Sequence, residues 1–470
     1  MQNAQPKRWE ILSWVPIAVG LYWLLASSEG HWLIWALLPG SVLLGTGVSL
    51  LLMPGDPRTT GYMSLASVVG ALIAVLLFVF GPSGPAFLAL LGCVGCFLVA
   101  GRVGLTAELQ HPDAPSPEMS VEMDAKCGLD EAMLGYFVAG VDVPAGQDAD
   151  RMCEDVLKLD RLIQEQGWDR DPAAFHHAPP PPENIRSRSR RIFGYDYEEL
   201  TWESGYAPGE LLPGAAVWKT YGANNQSVVR VLRHPGPPRP WLLCIHGYRM
   251  GMPWMDLGMF HPRWLHTRLG LNIVQPVLPL HGPRRIGLRS GDYFLDGDVL
   301  DLAYAESQAL WDLRRTLAWL RHQEASPRIG VFGVSLGGYN ASLLSTYESG
   351  LDFVVAAIPV TDFAAALWRF MPPAHMRYFT GRGITEERYR RILGLVSPLQ
   401  RAPLLDKERL LILGAVADRI VIPQHPIALG QHWGVPVTWY QGSHLTIRHE
   451  RETREILREA MLRAAWPVVS

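Results

Sequence analysis

The sequence predicts an α/β fold, a mostly parallel sheet with helices on both faces, preceded by an all-α region of four transmembrane helices. Three observations lead to this reading. The first hundred residues are apolar in four blocks. The later two-thirds alternate short Val-, Leu- and Ile-rich runs with amphipathic segments, as expected of buried parallel strands covered by helices. Within that part, "RIGVFGVSLGGYNASLLS" (Arg328–Ser345) carries a strand-like run into a glycine cluster, with one serine at its centre, and out as a helix.

Composition agrees with a chain placed partly in lipid. Of 470 residues, 19% are charged and 48% hydrophobic, whereas soluble domains carry about 25% charge. The net charge of -3 supplies no basic face of the kind that nucleic-acid binders show, so no nucleic-acid partner is expected. The 5 cysteines have no disulfide-framework spacing. Cys93 and Cys96 form a CxxC inside an apolar run, where two small residues of a membrane helix explain them better than a redox motif, which would follow a strand.

The four spans run from about Ile11 to Ala26, Trp32 to Met53, Tyr62 to Phe80 and Ala86 to Ala100. About 20 apolar residues cross the hydrocarbon core; the second and third blocks reach that length and the other two are slightly short. The alternative for the first block is a cleaved signal peptide behind Lys7 and Arg8, but Trp14, Pro16, Tyr22 and Trp23 suit a permanent span with interfacial aromatics. Lys7, Arg8, Arg58 and Arg102 fall on one side of an even number of spans, while the turns "SSEGH" and "GPSGP" have no Lys or Arg. By the positive-inside rule both termini and the soluble domain are expected in the cytoplasm, at a bacterial inner membrane. The spans hold almost no ionisable residues, which argues for an anchor rather than a transport path. Gly40, Ser41, Gly45 and Gly47 suit close helix packing in the second span.

Residues 105–195 read as a linker and a docked helical extension. "HPDAPSPEMS" is Pro-rich. In "DADRMCEDVLKLDRLIQEQG", Met152, Val156, Leu159 and Ile163 repeat with a helical period. "AFHHAPPPPEN" reads as a polyproline turn, where the adjacent His176 and His177 make a poor metal pair. "RSRSRR" (Arg186–Arg191) is either a solvated basic face or a contact for anionic headgroups.

Residues 196–470 form the α/β domain. "VVRVLRH", "WLLCIHGY", "LNIVQPVLPLHG", "RIGVFGVS", "DFVVAAIPVTDF", "RLLILGAVAD" and "VPVTWYQGSH" read as strands. "PRWLHTRLG", "DLAYAESQALWDLRRTLAWLRHQ", "GGYNASLLSTYES" and "ERETREILREAMLRAA" read as helices, the second with Ala305, Ala309, Leu313, Leu317 and Leu320 near one stripe. The insertion at about 363–396 is either an apolar lid or helical filler over the site. In the loop His281–Asp298, Arg284, Arg285 and Asp292 either shape a polar pocket or pair with one another on the surface.

"GVSLG" (Gly333–Gly337) is a G-x-S-x-G match in the context such a motif requires: a strand before it, a helix after it and small neighbours that allow a sharp turn. A serine hydroxyl attacks only when a histidine takes its proton, and that histidine must be oriented by a carboxylate. His444 in "YQGSHLT" and Asp418 in "ILGAVADRIVIP" each follow a strand, at the carboxyl edge where open parallel sheets build their sites. The candidates are therefore Ser335 as nucleophile, His444 as base and Asp418 as the orienting acid. The alternative for Asp418 is a helix N-cap, and the rival acid is Asp362. Oxyanion donors are expected from the backbone N–H of Leu336 and of Tyr248, with His246 structural.

With "CIHGY", "GVSLGG", "AVADRIVIP" and "QGSHL" in this order, the chain from about Tyr197 to Ala465 resembles the α/β-hydrolase superfamily, in a little-characterised bacterial branch. The resemblance implies an α/β-hydrolase fold and Ser-type hydrolysis through an acyl-enzyme; it implies no substrate. The expected function is a membrane-anchored serine hydrolase of carboxylic esters, lipid or acyl esters included, with a small-molecule or lipid ester as substrate and membrane lipids as surroundings. Two alternatives stand: a peptidase or amidase with the same triad, and a non-catalytic scaffold. Prolyl-peptidase types usually bring a propeller domain, and no blade-like repeats occur here; scaffolds usually lack a triad member. The chemistry requires no metal, and no cofactor is expected because the chain has no Walker-type or dinucleotide-binding glycine loop.

Overall fold

The computed structural model describes residues 9–26, 32–107, 111–141, 144–323 and 327–467. Lys7, Arg8 and the turn "SSEGH" lie outside them. The chain divides into two compact units: Met1–Gly140 with Ala415–Pro423 and Tyr440–Ile447, and Val141–Gly414 with Gln424–Trp439 and Arg448–Ser470.

The first unit is helical. It contains α1 (Trp9–Ala26), α2 (Trp32–Leu52), α3 (Pro57–Phe80), α4 (Ser83–Ala107) and α5 (Val121–Ala139). Ile34–Leu52, Pro57–Phe80 and Ser83–Ala107 are long and apolar enough to cross a membrane, while the apolar stretch of α1, Ile11–Ala26, is shorter. Pro57 and the Asp56 cap start α3; the Asp56 side chain accepts from the Arg58 N–H, which satisfies one of the donors a helix start leaves open. Among the small residues of α2, Gly40 and Gly47 lie against α1, at Leu24 and at Ile17 with Ser13, whereas Gly45 has no such neighbour. Leu72, Leu76, Val79 and Phe80 are exposed, leaving α3 an apolar outer surface suited to lipid.

The sequence reading left α5 unassigned between linker and extension. Ser120 caps it, its side chain accepting from the Met123 N–H at 3.1 Å. The helix is concealed in the sequence because its buried stripe mixes Met123, Cys127 and Leu134 with Asp124, Asp130 and Glu131, so the apolar period is interrupted by charges.

The second unit opens with α6 (Gln147–Gln166), whose Met152, Val156, Leu159 and Ile163 are buried, as the helical period predicts. Nine strands follow among the described residues: β1 (Arg186–Ile192), β2 (Tyr195–Glu203), β3 (Gln226–Leu232), β4 (Trp241–Ile245), β5 (Asn272–Pro276), β6 (Ile329–Val334), β7 (Phe353–Ala357), β8 (Leu410–Ala415) and β9 (Val437–Tyr440). Their order is β1-β2-β3-β5-β4-β6-β7-β8-β9. β1, β2 and β3 pair antiparallel, and β3 is antiparallel to β5. The pairings from β5 through β4, β6 and β7 to β8 are parallel. The helices are α7 (Ala215–Lys219), α8 (Pro253–Met259), α9 (Asp301–Gln323), α10 (Leu336–Ser345), α11 (Phe363–Phe370), α12 (Pro373–Gly381), α13 (Glu386–Leu393), α14 (Gln424–Trp433) and α15 (Arg451–Arg463). The predicted helix "PRWLHTRLG" is a single π-helical turn, Arg263–Arg268.

"RSRSRR" is an edge strand, with Arg190 paired to Glu199 across the hairpin. Its Arg and Ser content conceals the strand, because these residues carry little strand preference, yet charge on an exposed edge discourages further pairing there. Arg284 does not line a surface pocket. It is buried, donates to the Val277 and Asn224 carbonyls and pairs with Asp312 of α9 at 2.7 Å. Asp292 pairs with Arg249 and Arg289.

Candidate active site

Ser335 stands between the end of β6 and the first residue of α10, with φ 59° and ψ -114°. A non-glycine residue in that region costs of order 1–3 kcal/mol and persists only where its surroundings impose it. Here both flanks do. The Ser335 N–H donates to the Ala357 carbonyl of β7 at 2.9 Å, and the Ser335 carbonyl accepts from the Tyr339 N–H at 3.0 Å as α10 begins. A Cβ on Gly333 would overlap the Gly337 carbonyl, and one on Gly337 would overlap the Ile245 carbonyl of β4. The two glycines of the motif are therefore steric requirements of the turn.

The loop after β4 passes beside the serine: a Cβ on Gly247 would lie 3.6 Å from Ser335 Cβ. His246 holds this loop. Its Nε2 accepts from the Leu278 N–H at 3.0 Å, so Nδ1 carries the proton and donates to the Gly247 carbonyl at 2.9 Å. Burial pushes its pKa down to about 3, keeping it neutral and structural, as the sequence suggests. Farther along, Asp256 accepts from the Gly251 N–H at 2.9 Å and pairs with the buried Arg230 of β3 at 2.6 Å. Tyr248 follows Gly247 and packs its ring near His281 and Phe294. Leu336, the other expected oxyanion donor, is the first residue of α10.

Asp418 and His444 belong to the first unit, with the loop segments that follow β8 and β9. They meet: His444 Nδ1 lies 2.7 Å from Asp418 Oδ2, and both side chains are buried. The other oxygen of Asp418 accepts from the Ile420 and Val421 N–H groups at 2.9 and 2.7 Å. One oxygen thus fixes the loop and the other fixes the imidazole, with Nδ1 protonated and Nε2 as the proton-accepting nitrogen. Burial, the largest single effect on His444, lowers its pKa, but the charge and hydrogen bond of Asp418 together with the charge of Asp130 outweigh it, and the net shift is upward. Asp362 is engaged elsewhere, accepting from the Ala365 N–H as the cap of α11 and pairing with Arg390 at 2.7 Å.

Asp130 of α5 is the site residue that sequence reasoning missed. It is fully buried and accepts from the His444 and Leu445 N–H groups at 2.8 and 3.0 Å and from the Arg419 N–H at 3.0 Å. A signal was present: Asp130 and Glu131 fall on the face of Cys127 and Leu134, where solvated charges do not belong.

The chain is similar to several known proteins. A family model described as the prolyl oligopeptidase family matches residues 311–433. An uncharacterized protein of Mycobacterium tuberculosis is 36% identical over 355 residues, covering 75% of this chain and 85% of that protein. Among solved structures, acetyl xylan esterase 1 from Thermoanaerobacterium is similar with a TM-score of 0.44 at 15% identity, covering 69% of this chain and 96% of the esterase. A puromycin-hydrolyzing peptidase of Mycobacterium tuberculosis is similar with a TM-score of 0.34 at 15% identity, covering 60% of this chain and 40% of the peptidase.

Proposed function

We infer, for a chain that belongs to the family of the mycobacterial relative and to the α/β-hydrolase superfamily, that it is a membrane-anchored serine hydrolase of carboxylic esters. The observation that carries this reading is the strained serine turn. A glycine would adopt φ 59° without strain, whereas a nucleophile needs its hydroxyl projected from a sharp strand-to-helix corner. In the proposed reaction His444 takes the Ser335 proton as the hydroxyl oxygen attacks the ester carbonyl, and the backbone N–H groups of Leu336 and Tyr248 receive the oxyanion. The alcohol leaves with the proton from His444. Water, deprotonated by the same histidine, then attacks the acyl carbon, and the proton passes from His444 to the departing Ser335 oxygen as the acid is freed.

Esters are preferred over amides because of the lid segment. It carries Trp368, Phe370 and Met371, all half-buried, a composition that suits an acyl chain, and the apolar helices of the first unit suit a substrate drawn from lipid. The family match over residues 311–433 supports a second reading, a serine peptidase with the same residues. A fluorophosphonate probe should label Ser335 in the folded full-length protein, located by mass spectrometry of the modified peptide. Absence of labelling would leave the scaffold reading. A panel of p-nitrophenyl acyl esters beside aminoacyl amides then decides between esterase and peptidase; faster amide turnover would overturn the ester assignment.

The raised His444 pKa sets the pH dependence. A general base acts only when neutral, so kcat/KM should be full at alkaline pH and fall as pH drops through the histidine's pKa. The midpoint should lie above about 6.5, the ordinary imidazole value. A rate profile between pH 5 and 9 measures it, and a midpoint below the ordinary value would contradict the Asp418 contact.

A further inference from the structure

We propose that Asp130 of α5 is a positioning residue for the Asp418–His444 couple, so that the helical unit supplies part of the catalytic machinery rather than only an anchor. The inference rests on the serine-hydrolase reading for its kinetic consequences, but its geometry stands independently.

Asp130 is an acceptor shared by both catalytic loops. Its Oδ1 accepts from the Leu445 N–H at 3.0 Å and lies 2.9 Å from the Ser443 hydroxyl, whose one proton it shares with the Lys126 carbonyl, also at 2.9 Å. Its Oδ2 accepts from the His444 N–H at 2.8 Å and the Arg419 N–H at 3.0 Å. The backbone of the base and the residue after the acid are therefore held by one carboxylate, 314 positions before the histidine in the chain. Three backbone N–H donors reach its two oxygens, a role that suits a carboxylate. An amide would present its NH2 to two of these donors and could not reproduce the cradle.

The neighbouring Glu131 extends the tie. Its Oε1 accepts from Arg419 Nε at 2.8 Å and its Oε2 from the Thr60 hydroxyl, near the start of α3, at 2.8 Å. On its other flanks α5 is fastened to the apolar helices. Arg102 of α4 makes a two-pronged pair with Asp124 at 2.6 and 2.7 Å, and Ser64 of α3 donates to the Gly128 carbonyl at 2.7 Å. A shift of α3 against α5 would thus be passed through Glu131 and Asp130 to the acid and the base.

Charge gives a readout that a purely structural role would not move. Asp130 faces Asp418 and Arg419 from one loop and His444 from the other, with Cys127 and Glu131 beside it on its own helix. Burial and then the Asp418 charge raise its pKa to about 7, against the opposing effects of His444 and the backbone donors. When ionised it favours the imidazolium of His444. Removing its charge should lower the His444 pKa, and the acid limb of kcat/KM should move to lower pH.

The test uses full-length protein in detergent. Asp130→Asn should lower kcat on a p-nitrophenyl ester about 100-fold, the scale expected for a misplacement of about 1 Å, with KM within about twofold. The acid limb should fall by about half a pH unit or more. Wild-type kinetics with an unmoved acid limb would overturn the proposal. Should Asp130→Asn fail to fold, Ser443→Ala decides: it keeps the carboxylate, removes one donor, and should lower kcat several-fold without moving the limb, whereas an unchanged kcat would overturn the proposal. A catalysis-free arm separates this inference from the hydrolase reading. In a Ser335→Ala background, the pH dependence of diethylpyrocarbonate modification at His444, read by mass spectrometry, should shift downward on Asp130→Asn. That shift supports the inference even if wild-type protein hydrolyses nothing, and its absence overturns it.

Discussion

Ser335→Ala should reduce ester turnover by about 10⁴- to 10⁶-fold, the range for loss of a triad nucleophile, while the thermal midpoint stays within a few degrees of wild type. In the proposed reaction the hydroxyl performs the bond-forming step, and no neighbouring serine occupies the corner between β6 and α10. Alanine at φ 59° inherits the backbone strain, so the substitution separates chemistry from stability. Ser335→Gly extends the test: glycine adopts this conformation without penalty and should raise stability by about 1 kcal/mol or more, with turnover equally lost. Activity assays beside thermal melts of the two variants measure both effects. A Ser335→Ala protein that still turns over at a tenth of the wild-type rate would remove Ser335 from the mechanism.

The second large effect is expected at Asp418. Asp418→Asn should cost about 10³- to 10⁴-fold in kcat through the wrong imidazole tautomer. The carboxylate oxygen 2.7 Å from His444 Nδ1 holds the proton on that nitrogen. If the asparagine NH2 takes its place, it donates to Nδ1 and moves the ring proton to Nε2, the nitrogen that must receive the serine proton. The oxygen that accepts from Ile420 and Val421 can remain an acceptor in asparagine, so the loop should keep its shape. Loss of kcat with little change in KM, and retained fluorophosphonate labelling only at alkaline pH, would match this account. A similar loss on Asp362→Asn would point to the rival acid, but Asp362 already caps α11 and pairs with Arg390, so that change should act on stability alone.

Some of this site was legible because its determinants are close together in the chain. The Ser335 turn needs five residues, a strand before them and a helix after them, and all appear in one stretch. Asp418 and His444 could be proposed by their place after strands. Other features were opaque for physical reasons. "RSRSRR" forms β1 although its residues have weak strand preference, because pairing with β2 outweighs that preference. Arg284 read as either a pocket residue or a surface partner of its neighbours, yet it is buried, with Asp312 and two carbonyls compensating. Asp130 was hidden because the buried face of its helix mixes charged and apolar residues.

The sequence alone determined where the apolar helices and the alternation of strands and helices fall, and it determined the serine corner, since glycine sterics and hydrophobic period act over a few residues. Only the tertiary structure decided which carboxylates serve His444: Asp418 through the ring and Asp130 through the backbone. Periodicity tells which face of a segment is buried but not which group it meets there, and a buried carboxylate is stable only through the particular donors that reach it.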